Sequence, residues 1–316
     1  MGMLQDGRWT NETPVAPTDA KGDFQRAEST FRDWLTADGS AGPDGQRGVR
    51  AEAGRFHLYV SLACPWAHRT LVVRALKGLE ALLPVTVVGP LMGECGWSFE
   101  ERFGGTGDPL YGLSHLHQLY TRADPAMTGK VTVPVLWDKT EQRIVSNESA
   151  EIIRMLNTAF DDLGASPGDL YPPDLRDEID SVNDRVYGAV NNGVYRAGFA
   201  KQQEAYEQAA RALFETLDWL ETRLDGREWL VGDRLTEADI RLFTTLVRFD
   251  AVYHGHFKCN WRRIVDYPRL HALLGRVLAL PGIADTVDFD HIKNHYYRSH
   301  PDVNPTGIVP IGPAAI

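Results

Sequence analysis

The strongest constraint on the fold lies between Arg55 and Leu76, where the hydrophobic period changes within a few residues. Phe56, Leu58 and Val60 alternate along the chain, the two-residue period of a strand. Cys64-Pro65-Trp66-Ala67 follows. Proline suits the first helical position, because the N–H it lacks has no partner there. Ala67, Leu71, Val72, Ala75 and Leu76 then make an apolar helical stripe that Gly78 can end. A strand feeding straight into a helix predicts a β–α unit with Cys64 at the junction. Pro84 and the run Val85 to Val88 predict the next strand.

Residues 89–126 form a long, glycine-rich connection with one helical piece around Ser114 to Tyr120. Connections of that length inside a compact domain are usually functional. Val131-Thr132-Val133-Pro134-Val135-Leu136-Trp137 reads as a strand with a proline inside it, which marks an edge, a bulge or a cis peptide. Asp138 to Gln142 turns the chain, Arg143 to Val145 returns, and Ser146 or Asn147 is expected to cap a helix running to about Leu156. From Asp174 to about Leu280 the pattern is helical, most clearly from Tyr206 to Leu224. Thr236 and Asp239 have the spacing of a capping box, with Leu235 and Ile240 as its hydrophobic staple.

The expected organisation is an α/β half followed by an all-α half. Its parts are an arm (1–54), an α/β domain (55–157), a linker (158–175), a helical domain (176–290) and a tail (291–316). Within the arm, Phe24 to Leu35 is patterned as an amphipathic helix, and the tail shows no strong period.

At 316 residues the chain is about twice the usual length of one domain, and 43% apolar residues suffice for ordinary cores. A net charge of -10 argues against binding nucleic acid or anionic lipid. Cys64, Cys95 and Cys259 are odd in number and widely spaced, so neither a disulfide framework nor a zinc cluster is expected, and a reducing compartment fits. No apolar run approaches the ~20 residues that span a bilayer. The N-terminus carries no secretory pattern, and Asp6 stands where a myristoylation site needs Ser or Thr. A cytoplasmic protein is expected.

Three segments are more specific than this layout: Ser61-Leu62-Ala63-Cys64-Pro65-Trp66-Ala67-His68-Arg69, Val131 to Asp138, and Ser146-Asn147-Glu148-Ser149. Together they resemble the glutathionyl-hydroquinone reductases, the Xi class of glutathione transferases, over roughly residues 30–300. The resemblance implies a thioredoxin-like N-terminal domain followed by an all-helical glutathione-transferase domain, and a homodimer. It also implies glutathione as co-substrate and aromatic glutathionyl-hydroquinones as substrates. The other classes within reach are a dehalogenase-like or dehydroascorbate-reducing transferase and a non-catalytic relative of the same fold.

Cys64 is the expected nucleophile. A free thiol of pKa ~8.5 is only about 3% thiolate at neutral pH, whereas one lowered to ~6 is roughly 90% thiolate. The helix N-terminus supplies part of such a shift through its dipole and free N–H groups. Ala67 stands where a dithiol motif would place a second cysteine, so a disulfide on Cys64 must be opened by an external thiol. The resemblance makes that thiol glutathione. It assigns Val133, with its neighbours Val131 and Thr132, to the cysteinyl amide through a cis peptide before Pro134. It assigns Glu148 and Ser149 to the γ-glutamyl end and Trp97 to a further contact.

Lys130 occupies a position where relatives commonly carry arginine, and it keeps the charge without the bidentate fork. Tyr195 corresponds to the family's proton donor or acceptor, and Tyr253 and Tyr296 to phenols near the sulfur. Without the resemblance, Val133, Trp97 and the tyrosines read as packing and Ser149 as a helix cap. Cys95, near Trp97, reads as an incidental small residue rather than as an alternative resolving thiol. The His-x-His pairs at 115/117 and 254/256 have no third ligand at useful spacing, so no metal is expected.

Overall fold

The computed structural model describes residues 2–11 and 16–313. The chain falls into two units. One comprises Met1–Val15, Ala27–Asp169 and Asp285–His291, and the other Ala16–Arg26, Leu170–Ala284 and Ile292–Ile316.

The first unit opens with a hairpin, β1 (Met3–Gln5) and β2 (Arg8–Thr10), tied to the body by two backbone bonds between Leu4 and Gly129. β3 (Trp34–Thr36) then runs parallel to β4 (Gly48–Arg50). No helix forms over Phe24 to Leu35, contrary to the pattern. Phe24 bridges Thr18, Arg32 bridges Ser146, and β3 pairs with β4. The backbone groups of this segment are therefore satisfied by neighbouring chain rather than within a helix.

A four-stranded sheet forms the heart of this unit. One of its two inner strands, β5 (Phe56–Val60), leads into α1 (Pro65–Leu76). β6 (Val85–Val87) lies parallel to β5, and the hairpin β7 (Met92–Gly93) and β8 (Gly96–Trp97) follows with α2 (Leu116–Ala123). β9 (Val135–Asp138) pairs antiparallel with β5 on its other side and with β10 (Arg143–Ser146), and α3 (Ser149–Thr158) packs against α1.

β5 is buried on both faces, not on the single face its alternation suggests, because its other residues find buried partners. His57 Nε2 lies 2.8 Å from Thr86 Oγ1, and Tyr59 donates to Asp108 at 3.0 Å. At the hairpin end, Asp138 accepts from Arg55 Nε at 3.0 Å and from the Thr140 and Glu141 N–H groups at 2.9 and 3.1 Å. Burial raises the Asp138 carboxyl, but these donors outweigh it and hold the group below its usual range.

The expected strand over Val131 to Trp137 begins only at Val135. Pro134 has no N–H for a ladder, and the peptide before it is cis, as expected. The cap of α3 is Glu148, whose carboxylate accepts from Ala150 N at 3.0 Å, rather than Ser146 or Asn147. Ser146 still belongs to β10, and the Asn147 side chain is engaged elsewhere.

The second unit is helical: α4 (Arg176–Val186), α5 (Gly193–Phe199), α6 (Gln203–Arg223), α7 (Glu237–Arg248), α8 (Pro268–Leu278) and most of α9 (Phe289–Ser299). The Thr236–Asp239 capping box forms as expected, and Asp239 also accepts from Leu230 N at 2.9 Å. α9 lies in the supposedly aperiodic tail. Its buried residues Ile292, His295, Tyr296 and Ser299 do follow the helical period, but three of them are polar or amphipathic, so hydropathy conceals it. Two π-helical turns, Tyr187–Asn191 and Phe249–Tyr253, follow α4 and α7 and have no sequence signature.

Buried histidines set an acid limit on stability. Burial lowers His57 to about 4 and His256 to about 4, and puts His300 well below its usual value. Below pH ~6.5 the unfolded chain takes up protons that the folded chain declines until about pH 4. Stability is therefore complete above that window and falls as pH drops through it, by roughly 2 kcal/mol for each of His57 and His256 after allowance for solvent screening. Urea unfolding between pH 7 and 4.5 should show a falling midpoint, and His57→Gln should flatten the slope by close to one proton. An unchanged slope in that variant would remove His57 from the account.

Candidate active site

In the first unit the turn between β5 and α1 delivers Cys64. Ala63 N donates to Ser61 Oγ at 3.2 Å and Cys64 N to Ser61 O at 3.2 Å, which folds the chain back before the helix. Cys64 is the N-cap residue of α1 in an extended conformation (φ -78, ψ 121), and its carbonyl accepts from His68 N at 2.9 Å. Its side chain makes no capping bond, so the sulfur is not spent on the helix end. Half-buried, Cys64 Sγ lies 3.7 Å from the carbonyl oxygen of Val133. The structure thus brings together the expected nucleophile and the expected amide-binding edge. His68, one turn along α1, fixes that helix through Thr286 Oγ1 at 2.7 Å.

The other two cysteines differ. Cys95 is exposed between β7 and β8, and Cys259 is fully buried, where desolvation pushes its thiol far up. Cys64 alone among the three stands at a helix start.

Val131 to Val133 precedes β9, and Lys130, half-buried before it, has its ammonium pKa lowered by desolvation. Trp97 is buried on β8, opposite Met92. At the start of α3, Glu148 Oε2 accepts from Ser29 Oγ at 2.8 Å while Oε1 accepts from Ala150 N. Ser149 is buried, and Arg69 Nη1 donates to its hydroxyl at 3.5 Å. Arg69 also lies 4.6 Å over the Trp66 ring. A carboxylate, a hydroxyl, a guanidinium and a helix N-terminus suit a zwitterionic amino-acid end. Ser29 and Arg69 were not legible as site residues. Ser29 sits far away in the arm, and a helical arginine reads as surface.

In the second unit Tyr195, Tyr296 and Tyr253 form one hydrogen-bonded chain. Tyr195 and Tyr296 hydroxyls lie 2.5 Å apart, and those of Tyr296 and Tyr253 3.0 Å apart. Tyr195 comes from α5, Tyr253 from the π-turn after α7, and Tyr296 from α9. Exposure falls from 8% at Tyr195 to 1% at Tyr296 and 0% at Tyr253. Desolvation, then the neighbouring phenols, push Tyr253 and Tyr296 well above the ordinary tyrosine value, so both keep their protons at neutral pH. Arg26 lies 4.8 Å over the Tyr195 ring. His115 and His117 stack on one another at 5.6 Å, and Trp9 stacks on His117. Among the described residues no group of three or more His, Cys, Asp or Glu is placed to hold a metal ion.

Family models match both halves of the chain: the glutathione S-transferase N-terminal domain over residues 63–159 and the C-terminal domain over 203–276. Glutathionyl-hydroquinone reductase PcpF of Sphingobium chlorophenolicum is 58% identical over 314 residues, 99% of this chain and 97% of its own. Glutathionyl-hydroquinone reductase YqjG of Escherichia coli is 59% identical over 99% of this chain and 95% of its own. The glutathione-bound structure of YqjG superposes with a TM-score of 0.92, covering all of this chain and 96% of that one at 57% identity. A Xi-class transferase from Natrialba magadii gives a TM-score of 0.90 at 48% identity, covering 100% of this chain and 94% of its own. The chain belongs to the Xi class of glutathione S-transferases. In this transferase the thioredoxin-like domain holds the thiol and the helical domain holds the tyrosine chain.

Proposed function

We propose that this transferase reduces glutathionyl-hydroquinones to hydroquinones, with Cys64 as nucleophile and glutathione as reductant. The near-full-length identity to two reductases of that name supports the reading first. The placement of Cys64 at a helix N-terminus beside Val133 gives it a chemistry.

In the first half-reaction the Cys64 thiolate attacks the glutathione sulfur. A sulfur–sulfur bond forms, the carbon–sulfur bond breaks, and the ring carbon gains a proton. In the second, a glutathione thiolate attacks the mixed disulfide, releasing glutathione disulfide and restoring Cys64. Overall one glutathione thiol and the thioether sulfur of the substrate become glutathione disulfide, and the carbon–sulfur bond is reduced to carbon–hydrogen. An aryl carbanion is a poor leaving group. Protonating the sulfur-bearing carbon first gives a keto tautomer, whose cleavage expels an enolate instead.

Tyr195 is the acid of this step. It is the most exposed member of the phenol chain, and Tyr296, backed by Tyr253, can donate into its phenolate as the proton leaves. Glutathione is held by the backbone of Val131, Thr132 and Val133, by Glu148 and Ser149 at its γ-glutamyl end, and by Trp97 and Lys130. The enzyme works as a homodimer in the cytoplasm. None of its three cysteines is in a disulfide, which suits a reducing compartment, and no helix among the described residues is long and apolar enough to cross a membrane.

The test is stoichiometry. With excess glutathione, each glutathionyl-hydroquinone consumed should yield one hydroquinone and one glutathione disulfide. Substitution of halogenated acceptors without disulfide formation would mark a different transferase.

A further inference from the structure

Val131 to Val133 lies outside β9, so the ladder between β5 and β9 does not supply its backbone partners. Thr132 finds them in a side chain. Tyr120, buried on α2, donates its hydroxyl to the Thr132 carbonyl at 2.9 Å and accepts from the Thr132 N–H at 3.3 Å. Asn147 Nδ2 donates to the same phenol at 3.1 Å and reaches Thr132 Oγ1 at 3.4 Å. Asn147 is itself fixed. Its side-chain oxygen accepts from Phe31 N at 3.1 Å, and its backbone N–H donates to Phe31 O at 3.1 Å. The Phe31 ring meets the Tyr120 ring edge-on at 5.8 Å.

One phenol thus satisfies both backbone groups of Thr132, as a strand neighbour would. The Thr132 carbonyl and the Val133 N–H belong to one planar trans peptide and point opposite ways. Holding that carbonyl on Tyr120 therefore turns the Val133 N–H the other way, and the Val133 carbonyl lies 3.7 Å from Cys64 Sγ.

We propose that Tyr120 and Asn147 are positioning residues for glutathione, holding the backbone of Thr132 on the Tyr120 phenol so that the backbone of Val133 meets the cysteinyl amide of the ligand. The proposal rests on the glutathione reading above and assigns neither residue a contact with substrate. Removing the Tyr120 hydroxyl takes the partner from both backbone groups of Thr132, and the edge must rotate or take up water to satisfy them.

Titration calorimetry with glutathione and steady-state kinetics on wild type, Tyr120→Phe and Asn147→Ala test this. Tyr120→Phe should raise Kd and KM for glutathione about tenfold, while kcat at saturation stays within about twofold. Asn147→Ala should move the same quantities in the same direction by less. A folded Tyr120→Phe with unchanged glutathione affinity and only a lower melting temperature would overturn the proposal. Should Tyr120→Phe not fold, the same split in Asn147→Ala decides. Wild type that binds no glutathione would bring down the functional reading and this proposal together, whereas normal binding in wild type and variants alike removes this proposal alone.

Discussion

Cys64→Ser should abolish glutathionyl-hydroquinone reduction, by at least ~10³-fold, while leaving the fold and glutathione binding in place. Loss of a covalent nucleophile commonly exceeds that factor. Serine forms no disulfide, so neither half-reaction has its intermediate. The fold is expected to survive because the Cys64 side chain makes no capping bond that serine would lose. Serine is moreover among the preferred N-cap residues. Unfolding midpoints equal to or slightly above wild type, with turnover at background, would fit the account. Residual turnover above a few per cent would take Cys64 out of its central place, and the exposed Cys95 would be the next thiol to replace.

Tyr195→Phe should separate two activities. Cleavage of the carbon–sulfur bond needs a proton on the ring, whereas exchange with a simple glutathione disulfide expels a thiolate that needs none. Phenylalanine keeps the ring that packs on Phe199 and Phe257 but removes the hydroxyl that meets Tyr296. Turnover of glutathionyl-hydroquinones should drop ~10²-fold or more, the usual scale for a lost general acid, with disulfide exchange changing little. Equal losses in both activities would mean that Tyr195 tunes Cys64 or holds glutathione. No loss in either would make it a packing residue, leaving Tyr253, Tyr296 or water as the proton source.

The junction of β5 and α1 was legible because three independent signals agree there: strand alternation, a proline at the first helical position and a helical stripe. The Thr236–Asp239 box was legible for the same reason, since capping chemistry is local. What escaped depends on distant chain. Phe24 to Leu35 has a helical pattern, yet other segments supply its backbone partners. α9 hides its period because His295, Tyr296 and Ser299 are its buried positions, the first two among the rings and histidines of their own unit rather than in an aliphatic core. Tyr120 is one of eleven tyrosines, and only the pairing of its hydroxyl with Thr132 distinguishes it. Tyr195, Tyr253 and Tyr296 were reached through resemblance, and nothing in their spacing announces that their hydroxyls form one chain.

The mixed disulfide is the species on which the mechanism turns, so intact-protein mass spectrometry tests it most directly. Wild-type enzyme incubated with one equivalent of a glutathionyl-hydroquinone, without free glutathione, should gain the mass of one glutathione. Peptide mapping should place it on Cys64, with free hydroquinone released in equal amount. Added glutathione should then return the protein to its original mass and release one glutathione disulfide. Hydroquinone formation with an unmodified Cys64, or an adduct on Cys95 alone, would contradict the account.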